Sequence, residues 1–184
     1  MYNWQQKDWR QFTYDQQKIE RYVALFSEKI GMSKGVLGVL SKEQRSETMI
    51  DALVLEALKT SEIEGEYISR KDLISSIKKN IGVSSADDSI KDLRAKGIAA
   101  MLVNVHDSYD SALSEESIFQ WHQLLFSRKT TISVGAWRSH SEPMQVVSGS
   151  FGKEVVHFEA PASSDVPYEM KSFIEWFNNT APGA

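Results

Sequence analysis

A mainly α-helical chain carrying one β-hairpin is the fold class that the sequence predicts. Two observations carry it. Apolar residues recur at helical spacing through most of the first 125 positions and again near the end, with capping residues or glycines where the periodic stretches stop. Only in "MQVVSGSFGKEVVHFEAP", residues 144 to 161, does the pattern change to two short β-rich runs around Gly149 and Gly152, the layout of a hairpin with a loop of several residues.

Taken in order, residues 1 to 12 ("MYNWQQKDWRQF") are aromatic and polar without helical period. They read as an extended arm, with Trp4, Trp9 and Phe12 as anchors. Ile19, Tyr22, Val23, Phe26 and Ile30 fall at i, i+3, i+4, i+7 and i+11, which predicts a helix stopping at Gly31. After a connection, "GMSKGVLGVLSKEQ", the run "SETMIDALVLEALKTSEIEG" predicts a strongly apolar second helix with Gly65 as its C-terminal glycine. "SRKDLISSIKKNIG" opens on a capping box, Ser69 with Asp72 in place of the usual Glu, and ends at Gly82. "VSSADD" is a polar loop. Ile90, Leu93, Ile98, Met101, Leu102 and Val105 mark a longer helix, and Ser114 caps another bearing Ile118, Trp121, Leu124 and Leu125. "KTTISVGAWRSHSEP" is loop-like and leads to the hairpin. Pro167 then suits the first turn of a last helix with Met170, Phe173, Ile174 and Phe177 on one face. There is no internal repeat.

Composition narrows the function classes. The 184 residues suffice for one domain with a real core. The net charge is -4, from 21 basic and 25 acidic residues, and no basic cluster offers a phosphate-backbone footprint, so nucleic acid is not the expected partner. With no cysteine, a disulfide framework and a thiolate metal site are both excluded. The N-terminus lacks the basic-then-apolar layout of a signal peptide, and the longest apolar run, near "GIAAMLV", is too short to span a bilayer. The expectation is a soluble, cytoplasmic protein with no membrane partner.

On catalytic motifs the chain is silent. His106, His122, His140 and His157 lie on four separate elements without paired-ligand spacing, so no metal site is expected. Neither a Gly-rich phosphate loop nor a G-x-S-x-G elbow occurs.

The stretch "LKTSEIEGEY" stands out instead. It places Glu62, Glu64 and Glu66 where the second helix ends, although carboxylates at a helix C-terminus are opposed by its partial negative charge. Glu56, Thr60 and Glu64 share one helical stripe, with Lys59 as the nearby base. Two accounts are open: solvated side chains at a helix end, or a Glu64 carboxylate that meets a cation supplied from elsewhere, with Thr60 fixing its orientation by a hydrogen bond.

"TSEIEG" resembles the inhibitory motif of Fic proteins (filamentation induced by cAMP), in which Ser or Thr is followed after three residues by Glu and then Gly or Asn; Thr60, Glu64 and Gly65 fit it. The arm "YNWQQKDWRQF" resembles the start of the N-terminal domain that precedes many bacterial Fic cores. "GAWRSHSEPMQVVSGSFGKEVVHFEAP" is similar to the family's Gly-x-x-Arg segment and target-docking flap, and "DVPYEMKSFIEWFN" to the helix after it. The resemblance implies a Fic-like helical fold, with residues 1–95 as an N-terminal extension containing the inhibitory helix (about 46–65). Residues 96–184 would be the first part of a Fic core with its flap hairpin (about 143–160).

The resemblance also implies roles. Fic enzymes transfer AMP from ATP, with Mg²⁺, to a Ser, Thr or Tyr hydroxyl of a target protein. The inhibitory glutamate, here Glu64, pairs with the last arginine of the signature H-P-F-x-D-G-N-G-R-x-x-R and keeps the γ-phosphate out of its productive position. That signature is absent from this sequence. The chain is therefore expected to be the regulatory and target-docking part of a protein adenylyltransferase, inactive alone and binding neither ATP nor Mg²⁺ by itself. Val146, Val147, Val155, Val156 and His157 would form the flap that docks the protein substrate, and Arg138 a structural brace beside it. The remainder of its own core is the implied partner, with room for a homodimer. Two rival readings stand beside it: a free-standing, antitoxin-like inhibitor of a Fic enzyme, and a helical interaction module without enzymatic descent.

Overall fold

The computed structural model describes residues 1–9, 11, 13–83, 90–126 and 132–180. Phe12, most of "VSSADD" and the start of "KTTISVGAW" lie outside them. The fold is mainly α, with six α-helices and one two-stranded antiparallel hairpin among the described residues. No helix among them is long and apolar enough to cross a membrane. The chain divides into two compact units, residues 1–45 with 140–163 and residues 46–139 with 164–184.

In the first unit the N-terminal arm is not extended as expected. It begins with a single 3-10 turn, Asn3–Gln5, held by the Gln5 side chain, which accepts from the Tyr2 N–H at 2.8 Å. Trp4 is an anchor, its indole N–H donating to the Glu159 carbonyl at 2.6 Å, while Tyr2 meets Phe158 edge-on at 5.5 Å. Both contacts fasten the arm to the hairpin, β1 (Gln145–Ser148) and β2 (Val155–Glu159).

Helix α1 (Gln16–Val39) is capped by Asp15, whose carboxylate accepts from Gln17 N. It passes through Gly31, the expected stop. Gly31, Gly35 and Gly38 keep ordinary negative φ, so each continues the helix at a propensity cost of about 1 kcal/mol. The chain turns only at Leu40. Next, Ser41 and Gln44 form a reciprocal capping box, the Ser41 N–H donating to Gln44 Oε1 at 3.0 Å and the Gln44 N–H to Ser41 Oγ at 3.2 Å. That box starts α2 (Lys42–Ile63) four residues earlier than expected. No residue of α1 is buried.

The second unit holds the core. Ile50, Val54 and Ala57 of α2 pack with Leu73 and Ile77 of α3 (Arg70–Asn80) and with Ala95, Ala99 and Val103 of α4 (Leu93–Asp107). On α4 the fully buried positions are small, whereas the larger Leu93 that marked the helix in the sequence is exposed. For one of them, Gly97, the cause is close approach to the next helix. At Gly97 a Cβ would lie 2.8 Å from the Leu124 carbonyl oxygen and 2.9 Å from that of Leu125, the end of α5 (Glu115–Leu125). Ser114 caps α5 as expected, and α6 (Val166–Thr180) carries Pro167 in its first turn. Asn178 of α6 pairs twice with the backbone of Leu113, accepting from its N–H and donating to its carbonyl, both at 2.9 Å. Phe173 and Phe177, expected on one face of this helix, are about two-fifths exposed.

Candidate functional site

The end of α2 is built by its glycine. Gly65 adopts φ +74°, its N–H donates to the Glu62 carbonyl at 3.0 Å, and the Glu66 N–H donates to the Ser61 carbonyl at 2.8 Å. This Schellman arrangement satisfies carbonyls that the helix would otherwise leave unpaired, and only glycine enters that φ region at little cost. Its consequence is directional. The helix ends at Ile63, and the reversal turns Glu64 and Glu66 toward one cleft.

The cleft has a volume of about 690 Å³. Its walls are Glu56, Ala57, Thr60 and Ser61 of α2, the segment after Gly65, and Ile98, Met101 and Leu102 of α4 with Leu125 and Phe126 beyond. The floor is apolar and the rim acidic. Glu56, Glu64 and Glu66 line it, and Arg94 is the one cation among the described lining residues. Among the described residues, no group of three His, Asp or Glu side chains is placed to hold a metal ion. A triphosphate would meet three carboxylates and one guanidinium already engaged, so this cleft does not fit ATP with Mg²⁺ as it stands.

The three acidic residues of the tip differ. Glu62 is turned away and paired with Lys59, Oε2 to Nζ, at 2.7 Å. Glu66 pairs with Arg94. Among the described residues the exposed carboxylate of Glu64 has neither a hydrogen-bond nor a salt-bridge partner. The expectation that Thr60 orients Glu64 is corrected. The Thr60 hydroxyl donates to Glu56 Oε1 at 3.3 Å, because helical side chains lean toward the N-terminus and reach the preceding turn.

Beyond Gly65 the segment is laced to the entry of α4. Arg94 donates to the Tyr67 carbonyl at 3.0 Å besides its pair with Glu66. Asp92 caps α4, accepting from the Arg94 N–H at 3.0 Å, and its other oxygen accepts from the Ser69 N–H at 3.2 Å. Asp72, in the first turn of α3, accepts from the N–H groups of Lys91 at 3.1 Å and Asp92 at 2.7 Å. Each helix start thus supplies a carboxylate to the other's approach. Partial burial opposes ionisation of Asp92, but the N–H groups of Ser69, Arg94 and Ala95 and the Arg94 guanidinium outweigh it and hold the carboxyl below its usual range. Asp92, Arg94 and the role of Glu66 were missed from sequence. Only Asp92 had a readable signal, an N-cap residue directly before Leu93.

The hairpin residues named from sequence lie apart from the cleft in the chain. Val146, Val147, Val155 and Val156 are all between two-fifths and three-fifths exposed. Val146 pairs with Phe158 and Val147 with Val156, so His157 falls at the irregularity between them, its ring nitrogen 2.6 Å from Ser148 Oγ. Among the described residues neither strand has a second neighbour. Arg138 is half-buried in the second unit, one residue after Trp137, whose indole N–H donates to Glu115 Oε2 at 2.9 Å.

A family described as "Domain of unknown function (DUF4172)" matches residues 2–83, a span holding α1, α2, α3 and the Thr60, Glu64 and Gly65 motif. That description names no activity. No curated protein matches the chain.

Proposed function

We propose that the chain is the regulatory and target-docking part of a Fic-type protein adenylyltransferase, with Glu64 as its inhibitory carboxylate. The observation that carries the reading is Glu64 itself: an unpaired carboxylate, among the described residues, on the rim of a cleft with an apolar floor. A guanidinium brought into that cleft would gain a charge-assisted pair in a setting partly shielded from water. Glu64 then occupies the arginine that ATP phosphate would use. Binding of AMP to a target hydroxyl and coordination of Mg²⁺ fall to residues of the signature, not to those described here.

The hairpin would take the target. Its strands, which have no third neighbour among the described residues, and its exposed valines suit an extended segment that adds by main-chain hydrogen bonds and so presents a hydroxyl with little demand on sequence. The antitoxin-like reading draws on the family match, which ends at residue 83 and so treats the motif-bearing helices as a recurring unit. That reading leaves the hairpin without a task.

Labelled ATP, Mg²⁺ and a cell lysate provide the test. The 184-residue chain alone is expected to label no protein, and the same chain joined to a segment bearing the signature is expected to label itself or a lysate protein. Labelling by the chain alone, or none from the joined protein carrying Glu64→Gly, would overturn the proposal.

A further inference from the structure

We infer that Arg94 is a positioning residue for Glu64: its pair with Glu66 keeps the cleft's one described guanidinium off Glu64, and releasing that pair lets Arg94 neutralise Glu64 from within the chain. The regulatory consequence rests on the reading of Glu64 given above, whereas the geometry does not depend on it.

Four observations support this. Glu64 and Glu66 flank Gly65 and line the same cleft, with Cα atoms at most about 7 Å apart across two peptide units. Arg94 faces that cleft too, and its guanidinium holds Glu66 and the Tyr67 carbonyl, with Nε 3.5 Å from Asp92 Oδ1. A guanidinium has five N–H donors, so breaking one pair leaves a charged group searching for another acceptor within reach. Arg94 also stands in the first turn of α4, where the helix dipole opposes a cation; its Nε faces the Asp92 cap, while the tip of the guanidinium serves the facing segment. Because Asp92 Oδ1 already lies beside Arg94 Nε, the donors freed from Glu66 are those at the tip of the guanidinium; of the carboxylates lining the cleft Glu64 is the unpaired one, and a carboxylate outcompetes the neutral Tyr67 carbonyl.

The expected bias is modest, because Arg94 and Glu66 side chains are 52% and 59% exposed. Exposed pairs of this kind shift a population roughly two- to fivefold. Within that range the choice of partner decides whether Glu64 meets an incoming arginine as a free carboxylate or an occupied one.

The test uses the 184-residue chain and nuclear Overhauser contacts from the Arg94 δ-methylene. In the wild type these reach Glu66 and Tyr67. In Glu66→Ala, contacts to the Glu64 γ-methylene are expected to appear, and in Glu66→Asp, which restores a carboxylate at position 66, they are expected to be absent. Contacts among Leu73, Ala95 and Ala99 serve as the check that the core is unchanged. Arg94 remaining away from Glu64 in Glu66→Ala, or approaching it equally in Glu66→Asp, overturns the inference. Neither result involves AMP transfer. A Glu64→Gly change without effect on transfer would overturn the inhibitory reading and leave this one standing.

Discussion

Glu64→Gly is expected to raise AMP transfer about ten- to a hundredfold in a protein in which this chain is joined to the signature. Losing a charged hydrogen bond is worth about 1.5–3 kcal/mol, and each 1.4 kcal/mol is a factor of ten in the productive population. The control is Glu62→Gly. Glu62 lies inside α2, so glycine there costs about 1 kcal/mol of helix propensity and also removes the pair with Lys59. Glu64 stands just beyond the last helical residue, where glycine disturbs the helix less. A rise from Glu64→Gly with none from Glu62→Gly therefore cannot come from a loosened helix. Rates measured at saturating ATP decide it, and equal rates for wild type and Glu64→Gly would mean that the acidic tip is only a solvated helix end.

The second large effect is on folding. Asp92→Asn is expected to destabilise the chain by about 1–3 kcal/mol at neutral pH. Asparagine can still accept from the Arg94 and Ala95 N–H groups, but its amide presents a donor to the Ser69 N–H, leaving that contact unmade at a side chain only 16% exposed. The pH dependence follows from the direction of the Asp92 shift. The native carboxyl is held below its ordinary value of 3.8, so the unfolded chain takes up a proton first on acidification. The stability contributed by the charge is complete above that ordinary value and is lost as pH falls through the depressed native one. Urea midpoints of wild type and Asp92→Asn should thus stay separated from neutral pH down to about 4 and converge below it. A gap independent of pH would show that the carboxylate charge contributes nothing at the α3 and α4 starts.

What was legible in the sequence was local. Gly65 ends α2 through backbone bonds to residues three and five positions back, and Ser69 and Ser114 cap their helices through the residue three positions on. The hairpin announced itself by its change of period. Gly31 misled because a single glycine with ordinary negative φ costs a helix only about 1 kcal/mol, and the true boundary belongs to the Ser41 and Gln44 box. The packed side of α4 was hidden because its buried positions are mostly alanine and glycine, which add little to an apolar pattern. At the cleft, Thr60, Glu64 and Gly65 were visible as a spacing of residue types. Arg94 was not, since it meets Glu66 from 28 positions away and no sequence period links them.

Capture of a signature arginine by Glu64 is measured, without relying on activity, by a double-mutant cycle. In the joined protein, unfolding free energies would be compared for the wild type, Glu64→Gln, the last signature arginine replaced by glutamine, and both together. A coupling of about 1.5–3 kcal/mol is expected, with either single change costing nearly as much as the pair. Additive effects, within about 0.5 kcal/mol of zero coupling, would contradict the claim.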